Sequence, residues 1–198
     1  REVDRVANIR FPEPAPCGKT PLFAENLSKS YGSLEIFTAV DLAIDKGSKV
    51  VVLGLNGAGK TTLLRILAGI DKSDTGQVIP GHGLKVGYYA QEHETLNVNL
   101  SVLENMQRAA PQLNDTDSRK VLGSFLFSGD DVNKKAGVLS GGEKTRLALA
   151  TLVVSSANVL LLDEPTNNLD IDTIRWLEAV LNERKSTMVI ISHDRWFL

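Results

Sequence analysis

Apolar residues along this chain fall into two kinds of pattern, short solid runs and faces that repeat every three or four positions, and the two kinds alternate. Lys49-Val50-Val51-Val52-Leu53 is an apolar run rich in β-branched residues and predicts a buried strand. Thr62 to Ala68 has helical spacing, and Gly69 stands where a helix C-cap belongs. Gln77-Val78-Ile79 and Lys85 to Tyr89 read as short strands, after a turn at Lys72-Ser73-Asp74-Thr75-Gly76. From Leu100 to Phe127 the pattern is mostly helical, with faces at Leu100, Val102, Leu103 and Met106 and at Val121, Leu122, Phe125 and Leu126; Gly129-Asp130-Asp131 ends the second helix. A further helix is predicted from about Gly141 to Val154. Val159-Leu160-Leu161-Leu162-Asp163 is a nearly unbroken run, as a central parallel strand covered on both faces requires. Ile171 to Glu183 is helical, and Ser186 to Ser192 is a second buried strand.

Strands alternating with helices predict an α/β domain with a parallel sheet at its centre. A β-rich stretch begins at Leu22, and the helical middle section is expected as a subdomain to one side. Residues 1–21 read as a linker: charged residues, then Pro12, Pro14 and Pro16, then Gly18 and Pro21. No internal repeat or low-complexity tract is present.

One glycine-rich turn changes the picture from fold to chemistry. Gly54-Leu55-Asn56-Gly57-Ala58-Gly59-Lys60-Thr61 matches G-x-x-x-x-G-K-[ST], the phosphate-binding loop, and it lies between a predicted strand and a predicted helix, as that motif demands. Polyphosphate needs a loop that turns tightly and aims backbone N–H groups inward, which Gly54, Gly57 and Gly59 permit. The helix opening at Lys60 adds free N–H groups and a positive dipole end. Lys60 is expected on the β- and γ-phosphates and the Thr61 hydroxyl on Mg²⁺. Gly54, Asn56, Gly57, Ala58, Gly59, Lys60, Thr61 and Thr62 form the candidate nucleotide-binding set. The bland alternative, a glycine turn before an ordinary helix, explains neither the lysine nor the threonine.

Asp163-Glu164 closes the most apolar run, at the strand end where α/β sheets bind ligands. Asp163 is placed to hold the Mg²⁺ shell and Glu164 to act as general base on the attacking water. Gln91, after Tyr89-Ala90, has an amide able to touch Mg²⁺ or water. His193, after the last strand, can hold a γ-phosphate or that water by hydrogen bond, although a lone histidine is usually structural. Tyr31 is either a base-stacking ring or an ordinary half-buried strand aromatic. Ser140-Gly141-Gly142-Glu143 opens a helix with room for an anion, or is simply a capped helix start. His82 and His93 read as surface residues.

Composition narrows the setting. The 198 residues are 42% hydrophobic and 23% charged with net charge −2, ordinary for a globular protein and without an overall basic field toward nucleic acid or anionic membrane. The one cysteine, Cys17, excludes an internal disulfide framework. No apolar run reaches the about 18 residues of a membrane-spanning helix, and the charged start has no signal-peptide pattern, so cytoplasm is the default.

Taken in order from about Leu22 to the end, these pieces resemble the nucleotide-binding domain of ATP-binding cassette proteins. The resemblance implies a P-loop NTPase core with a parallel central sheet, an antiparallel β-subdomain and a helical subdomain. Leu139-Ser140-Gly141-Gly142-Glu143 is similar to the family's signature motif, which serves the ATP of a partner cassette. By the same likeness Tyr31 is the adenine-stacking aromatic, Gln91 the Q-loop glutamine, Asp163 and Glu164 the Walker B pair, Asn168-Leu169-Asp170 the D-loop and His193 the switch histidine. ATP and Mg²⁺ are the implied cofactors.

Glu164-Pro165-Thr166-Asn167-Asn168-Leu169-Asp170 and Ser192-His193-Asp194-Arg195-Trp196-Phe197-Leu198 resemble the ABC-F subfamily, whose twin-cassette ATPases have no membrane domain and act mostly on the ribosome, in translation or antibiotic resistance. Residues 1–21 are similar to the end of the linker joining the two cassettes, which makes residues 22–198 a second cassette, shortened at its C-terminal end. The implied partners are another cassette, packed head to tail within one protein or as a homodimer, and the ribosome with its rRNA or tRNA, with no direct membrane insertion. A single cassette is expected to hydrolyse ATP weakly. Two other readings stay open: the motor of a membrane transporter, although transporters more often carry a serine-alanine D-loop, and a module that binds ATP without useful turnover.

Overall fold

The computed structural model of the chain describes residues 11–54, 59–90, 95–167 and 169–192. The elements in order are β1 (Leu22–Tyr31), β2 (Leu34–Ile44), β3 (Lys49–Val52), α1 (Lys60–Leu67), β4 (Thr75–Pro80), β5 (Val86–Tyr89), α2 (Val102–Ala109), α3 (Asp115–Ser124), two 3-10 turns (Gly129–Asn133 and Ala136–Val138), α4 (Gly141–Val154), β6 (Val159–Asp163), α5 (Ile171–Glu183) and β7 (Thr187–Ile191). They build an antiparallel sheet in the order β2-β1-β4 and a parallel sheet in the order β3-β7-β6-β5. The parallel sheet is the α/β arrangement that the alternating pattern predicts, and the two sheets with their helices are the P-loop NTPase core that the resemblance implies.

The period-two alternation of β6 and β7 divides the interior into two cores. Val159, Leu161, Val189 and Ile191 face one side, where they meet Leu64, Ile66 and Leu67 of α1 and Leu22, Ala24 and Leu27 of the antiparallel sheet. Leu160, Leu162, Met188 and Ile190 face the other, against Val102 and Met106 of α2, Leu147 to Val154 of α4 and Leu177, Val180 and Leu181 of α5. All ten residues of β6 and β7 are buried, which explains why both read as unbroken apolar runs.

Residues 11–20 carry no regular structure but lie on the domain. Ala15 N–H donates to Ser156 O at 2.9 Å and Gly18 N–H to His82 O at 2.9 Å. The buried Asn158 completes this clamp, its side chain donating to Ala15 O and Gly83 O at 3.0 and 2.8 Å and accepting from Lys85 N–H at 2.8 Å.

Two expectations need correcting. β3 is not a buried strand: it is an edge of the parallel sheet, Val51 is 41% exposed, and its residues alternate between exposed and half-buried. An edge strand with one covered face alternates, whatever its β-branched content. The second helix of the middle section ends at Ser124, before Phe125 and Leu126. Leu126 takes a left-handed φ of 67°, Leu126 N–H donates to Gly123 O at 3.1 Å and Phe127 N–H to Leu122 O at 2.9 Å. That pair of bonds is a Schellman stop, with Phe127 and Leu122 buried together. The apolar spacing continued past the stop because Phe125 is still needed in the core, where its ring meets Trp176 edge-on at 4.2 Å. Gly129 therefore opens a 3-10 turn rather than closing the helix.

Candidate functional site

The site gathers at the carboxyl ends of β6 and β7, beside the start of α1. Gly59 is the N-cap of α1, with φ 84° and no side-chain cap, so the first helical N–H groups carry no side-chain acceptor from that position. At the other end Gly69 takes φ 75° and donates to Ile66 O at 3.0 Å, the left-handed stop its position suggested. A Cβ on Gly59 would sit 2.2 Å from the Ile36 side chain, so glycine is required there both for its φ and for this close approach.

Ile36 reaches the loop because β2 is irregular. Lys29 pairs with Phe37 but Ser30 with Glu35, which leaves Ile36 as the extra residue of a bulge. The sequence carries no signal for this contact. Tyr31 ends the same strand pair, opposite Leu34, and is 52% exposed rather than half-buried. One hairpin thus carries both Ile36, which meets the base of the phosphate loop, and the exposed ring of Tyr31.

Lys60 donates its ammonium to the carbonyl of Gly54, tying the first turn of α1 back to the end of β3. Thr61 Oγ1 donates to Asp163 Oδ2 at 2.7 Å. Asp163 is only 3% exposed. Burial pushes its carboxyl above the ordinary carboxylate value, against the opposing pull of the Thr61 hydrogen bond and the Lys60 charge. Among the described residues no group of three His, Cys, Asp or Glu side chains could cage a metal by itself. A hydroxyl and a carboxylate side by side, next to a phosphate-binding loop, suit instead a hard cation that keeps water and phosphate oxygens as its other ligands.

Glu164 follows in a left-handed conformation, φ 48°, and is 7% exposed. Its N–H donates to Ile191 O at 2.9 Å, and its carbonyl accepts from Asn167 N–H at 3.2 Å. A non-glycine residue in that region costs roughly 1 kcal/mol and persists only when its neighbours impose it. Here β7 on one side and the turn at Pro165-Thr166-Asn167 on the other do so.

Ser140 caps α4 in a reciprocal capping box: its Oγ accepts from Glu143 N–H at 3.3 Å and Glu143 Oε2 accepts from Ser140 N–H at 2.7 Å. Those bonds hold the Glu143 carboxyl below its usual range. Gly141 is exposed and a Cβ there would meet open space, so the helix start faces outward. Asp170 caps α5, its Oδ1 accepting from Thr173 N–H at 2.8 Å, which lowers its carboxyl likewise. Tyr89, buried at the end of β5, shares a hydrogen bond with Thr145 of α4, and burial raises its phenol. It links α4 to the Asp163 neighbourhood, and nothing in the sequence singled it out.

The structure therefore brings together Gly54, Gly59, Lys60, Thr61, Asp163 and Glu164, with Thr62 in the first turn of α1 and Tyr31 on the adjoining hairpin. Asn56, Gly57, Ala58, Gln91, Asn168 and His193 lie outside the described residues.

Comparison with known proteins agrees with this geometry. The family model described as ABC transporter matches residues 37–167. The chain is 38% identical over 192 residues to ABC transporter F family member 5 of Arabidopsis thaliana, 41% over 196 residues to the putative ATP-binding protein YdiF of Bacillus subtilis, and 40% over 196 residues to the energy-dependent translational throttle protein EttA of Haemophilus influenzae. These alignments cover 96%, 98% and 96% of the chain but only 28%, 30% and 35% of the relatives, so the chain spans about a third of their length. Among solved structures, a dimeric post-hydrolysis state of the ATP-binding cassette MJ0796 bound to ADP and Pi superposes with a TM-score of 0.73 at 26% identity, covering 87% of this chain and 88% of that one. CbiO1 of Clostridium perfringens, part of the ABC transporter complex cbiONQ, gives 0.68 at 25% identity, covering 91% and 81%. The chain belongs to the ABC transporter family, as one of its ATP-binding cassette domains.

Proposed function

We propose that this chain is the second cassette of an ABC-F type protein, binding and hydrolysing Mg²⁺-ATP in the cytoplasm in the service of translation or of antibiotic resistance at the ribosome. The observation that carries the chemistry is the 2.7 Å bond between Thr61 and Asp163 with Glu164 next in the chain. It supports reading Thr61 and Asp163 as Mg²⁺ ligands beside the phosphate loop, with Glu164 as the base.

In this reading Gly54, Asn56, Gly57, Ala58, Gly59, Lys60, Thr61 and Thr62 wrap the phosphates, and Tyr31 stacks on the adenine. Thr61, Asp163 and Gln91 hold Mg²⁺, which neutralises charge building on the transferred phosphoryl group. Glu164 takes the proton of the attacking water, and His193 orients that water or the γ-phosphate. Ser140, Gly141, Gly142 and Glu143 face outward toward the nucleotide of a partner cassette, with Asp170 at the same junction. Residues 1–21 are the end of the linker and 22–198 the cassette.

The partner is a second cassette packed head to tail, so one cassette alone turns over slowly. The dimeric cassette among the structural neighbours supports that arrangement. The translational role is supported by likeness to a protein named for translational throttling. Identity of 38% to ABC transporter F family members 5 and 2 of Arabidopsis thaliana against 25–26% to the structural neighbours favours this over a transporter motor. Among the described residues no helix is long and apolar enough to cross a membrane. Two measurements test the reading. Specific ATPase activity of this chain should rise with its concentration, and the full-length protein should co-sediment with ribosomes when ATP is present. Rapid turnover independent of concentration contradicts the shared site, and absence from the ribosomal pellet contradicts the translational role.

A further inference from the structure

We propose that Lys29 and Asp74 are positioning residues for the base-stacking ring of Tyr31, holding it so that one face meets the Lys29 ammonium and the other is left for the nucleobase. This rests on the reading of Tyr31 as the adenine-stacking residue and adds to it the device that aims the ring.

The end of β1 is bulged, with register shifts on both sides of Lys29, so the sheet ladder alone does not fix where Tyr31 points. A second clamp does. Asp74 Oδ2 accepts from Ser30 N–H at 2.7 Å, and Asp74 N–H donates to Ser28 O at 2.8 Å. Lys29, between them, gives its ammonium to Asp74 Oδ1 at 3.2 Å and to Lys72 O at 3.0 Å. Three consecutive residues of the strand are thus pinned to the turn that precedes β4. The pinned ammonium stands 5.2 Å from the centroid of the Tyr31 ring. Its side chain is 17% exposed while Tyr31 is 52% exposed, so the lysine is the covered partner and the ring the open one.

A cation at that distance is attracted to the ring face and restricts its rotation. A ring held in one orientation binds a base without first losing rotamer freedom, and that saving appears as affinity. The Ser30 and Lys29 hydrogen bonds also keep the Asp74 carboxyl below its usual range. A solvated lysine on a surface strand has no need of three partners, one of them a carboxylate already bonded to the backbone.

The test separates the base from the phosphates. Hydrogen exchange of the α1 amides, followed as ATP or inorganic tripolyphosphate is added to the full-length protein, reports occupancy of this cassette for either ligand. Tyr31→Ala is expected to weaken ATP about tenfold and Lys29→Met about threefold, both leaving tripolyphosphate unchanged, while Lys29→Arg keeps native ATP affinity. If Tyr31→Ala weakens ATP and Lys29→Met does not, the positioning role is overturned and the stacking stands. If Tyr31→Ala leaves ATP binding native, the stacking itself is overturned and the clamp with it. If Lys29→Met weakens both ligands alike, or Lys29→Arg fails as Lys29→Met does, Lys29 is structural and the proposal is wrong.

Discussion

Thr61 and Asp163, 102 positions apart in the chain, are joined by a 2.7 Å hydrogen bond from hydroxyl to carboxylate. The first turn of α1 and the end of β6 are thereby held at one point. Asp163→Asn keeps the shape and removes the charge. It is expected to raise the Mg²⁺ concentration for half-maximal hydrolysis about tenfold or more. A Mg²⁺ titration of ATPase activity reads this, and an unchanged midpoint removes Asp163 from the metal shell.

Glu164→Gln removes a proton acceptor without altering size. Loss of a general base costs about 10²- to 10⁴-fold in hydrolysis. Nucleotide binding should survive, and the variant should accumulate as an ATP-bound dimer on size exclusion. Native turnover would show that another group takes the proton.

Gly59 is held by sterics rather than chemistry. Gly59→Ala places a methyl against Ile36 at a φ of 84°, so it is expected to destabilise the domain by about 2 kcal/mol or more, with loss of ATP binding. Ile36→Ala should restore part of the stability, because the clash goes and the φ penalty remains. A urea-unfolding cycle of the two single variants and the double variant measures the coupling, and simple additivity contradicts the contact.

Arg184 is 5% exposed and donates to the carbonyls of Leu152, Ser155 and Ala157 at 2.7, 2.5 and 2.8 Å. Burial pushes its guanidinium down to about 10. Arg184→Met takes the guanidinium donor from the Ser155 and Ala157 carbonyls just beyond α4, while Leu152 O keeps the Ser155 N–H and hydroxyl, at an expected cost of about 3 kcal/mol. Lysine should not rescue it, since one ammonium cannot span three carbonyls. Thermal melts of the two variants decide this.

Acid weakens the helix starts. Glu143 and Asp170 have folded carboxyls below their ordinary values of 4.5 and 3.8 because each accepts backbone N–H bonds as a cap. A depressed carboxyl contributes stability that is complete above its unfolded value and disappears as pH falls through the folded one. The unfolding midpoint should therefore hold steady down to about pH 5 and fall below it, and Asp170→Asn should flatten part of that fall. A midpoint insensitive to acid contradicts the capping role.

Much of this protein was legible before folding was considered. The buried strands β6 and β7, the helices α4 and α5, the Ser140 cap, the phosphate loop and the two acids were read from apolar period and residue type, because those depend on neighbours within a few positions. What needed the tertiary structure depends on residues far apart in the chain. The edge position of β3 follows from β7 alone pairing with it among the described residues, and no local run states how many neighbours a strand will have. The stop after Ser124 depends on Leu126 accepting a strained φ so that Phe125 can meet Trp176, which apolar spacing cannot distinguish from a longer helix. Ile36 against Gly59, Tyr89 with Thr145 and Asp74 against Lys29 and Ser30 carry no local signature, since a bulge or a buried hydroxyl is selected by what arrives from elsewhere in the chain. Local order is encoded in spacing. The site is a meeting of distant segments, and only close packing decides which atoms meet.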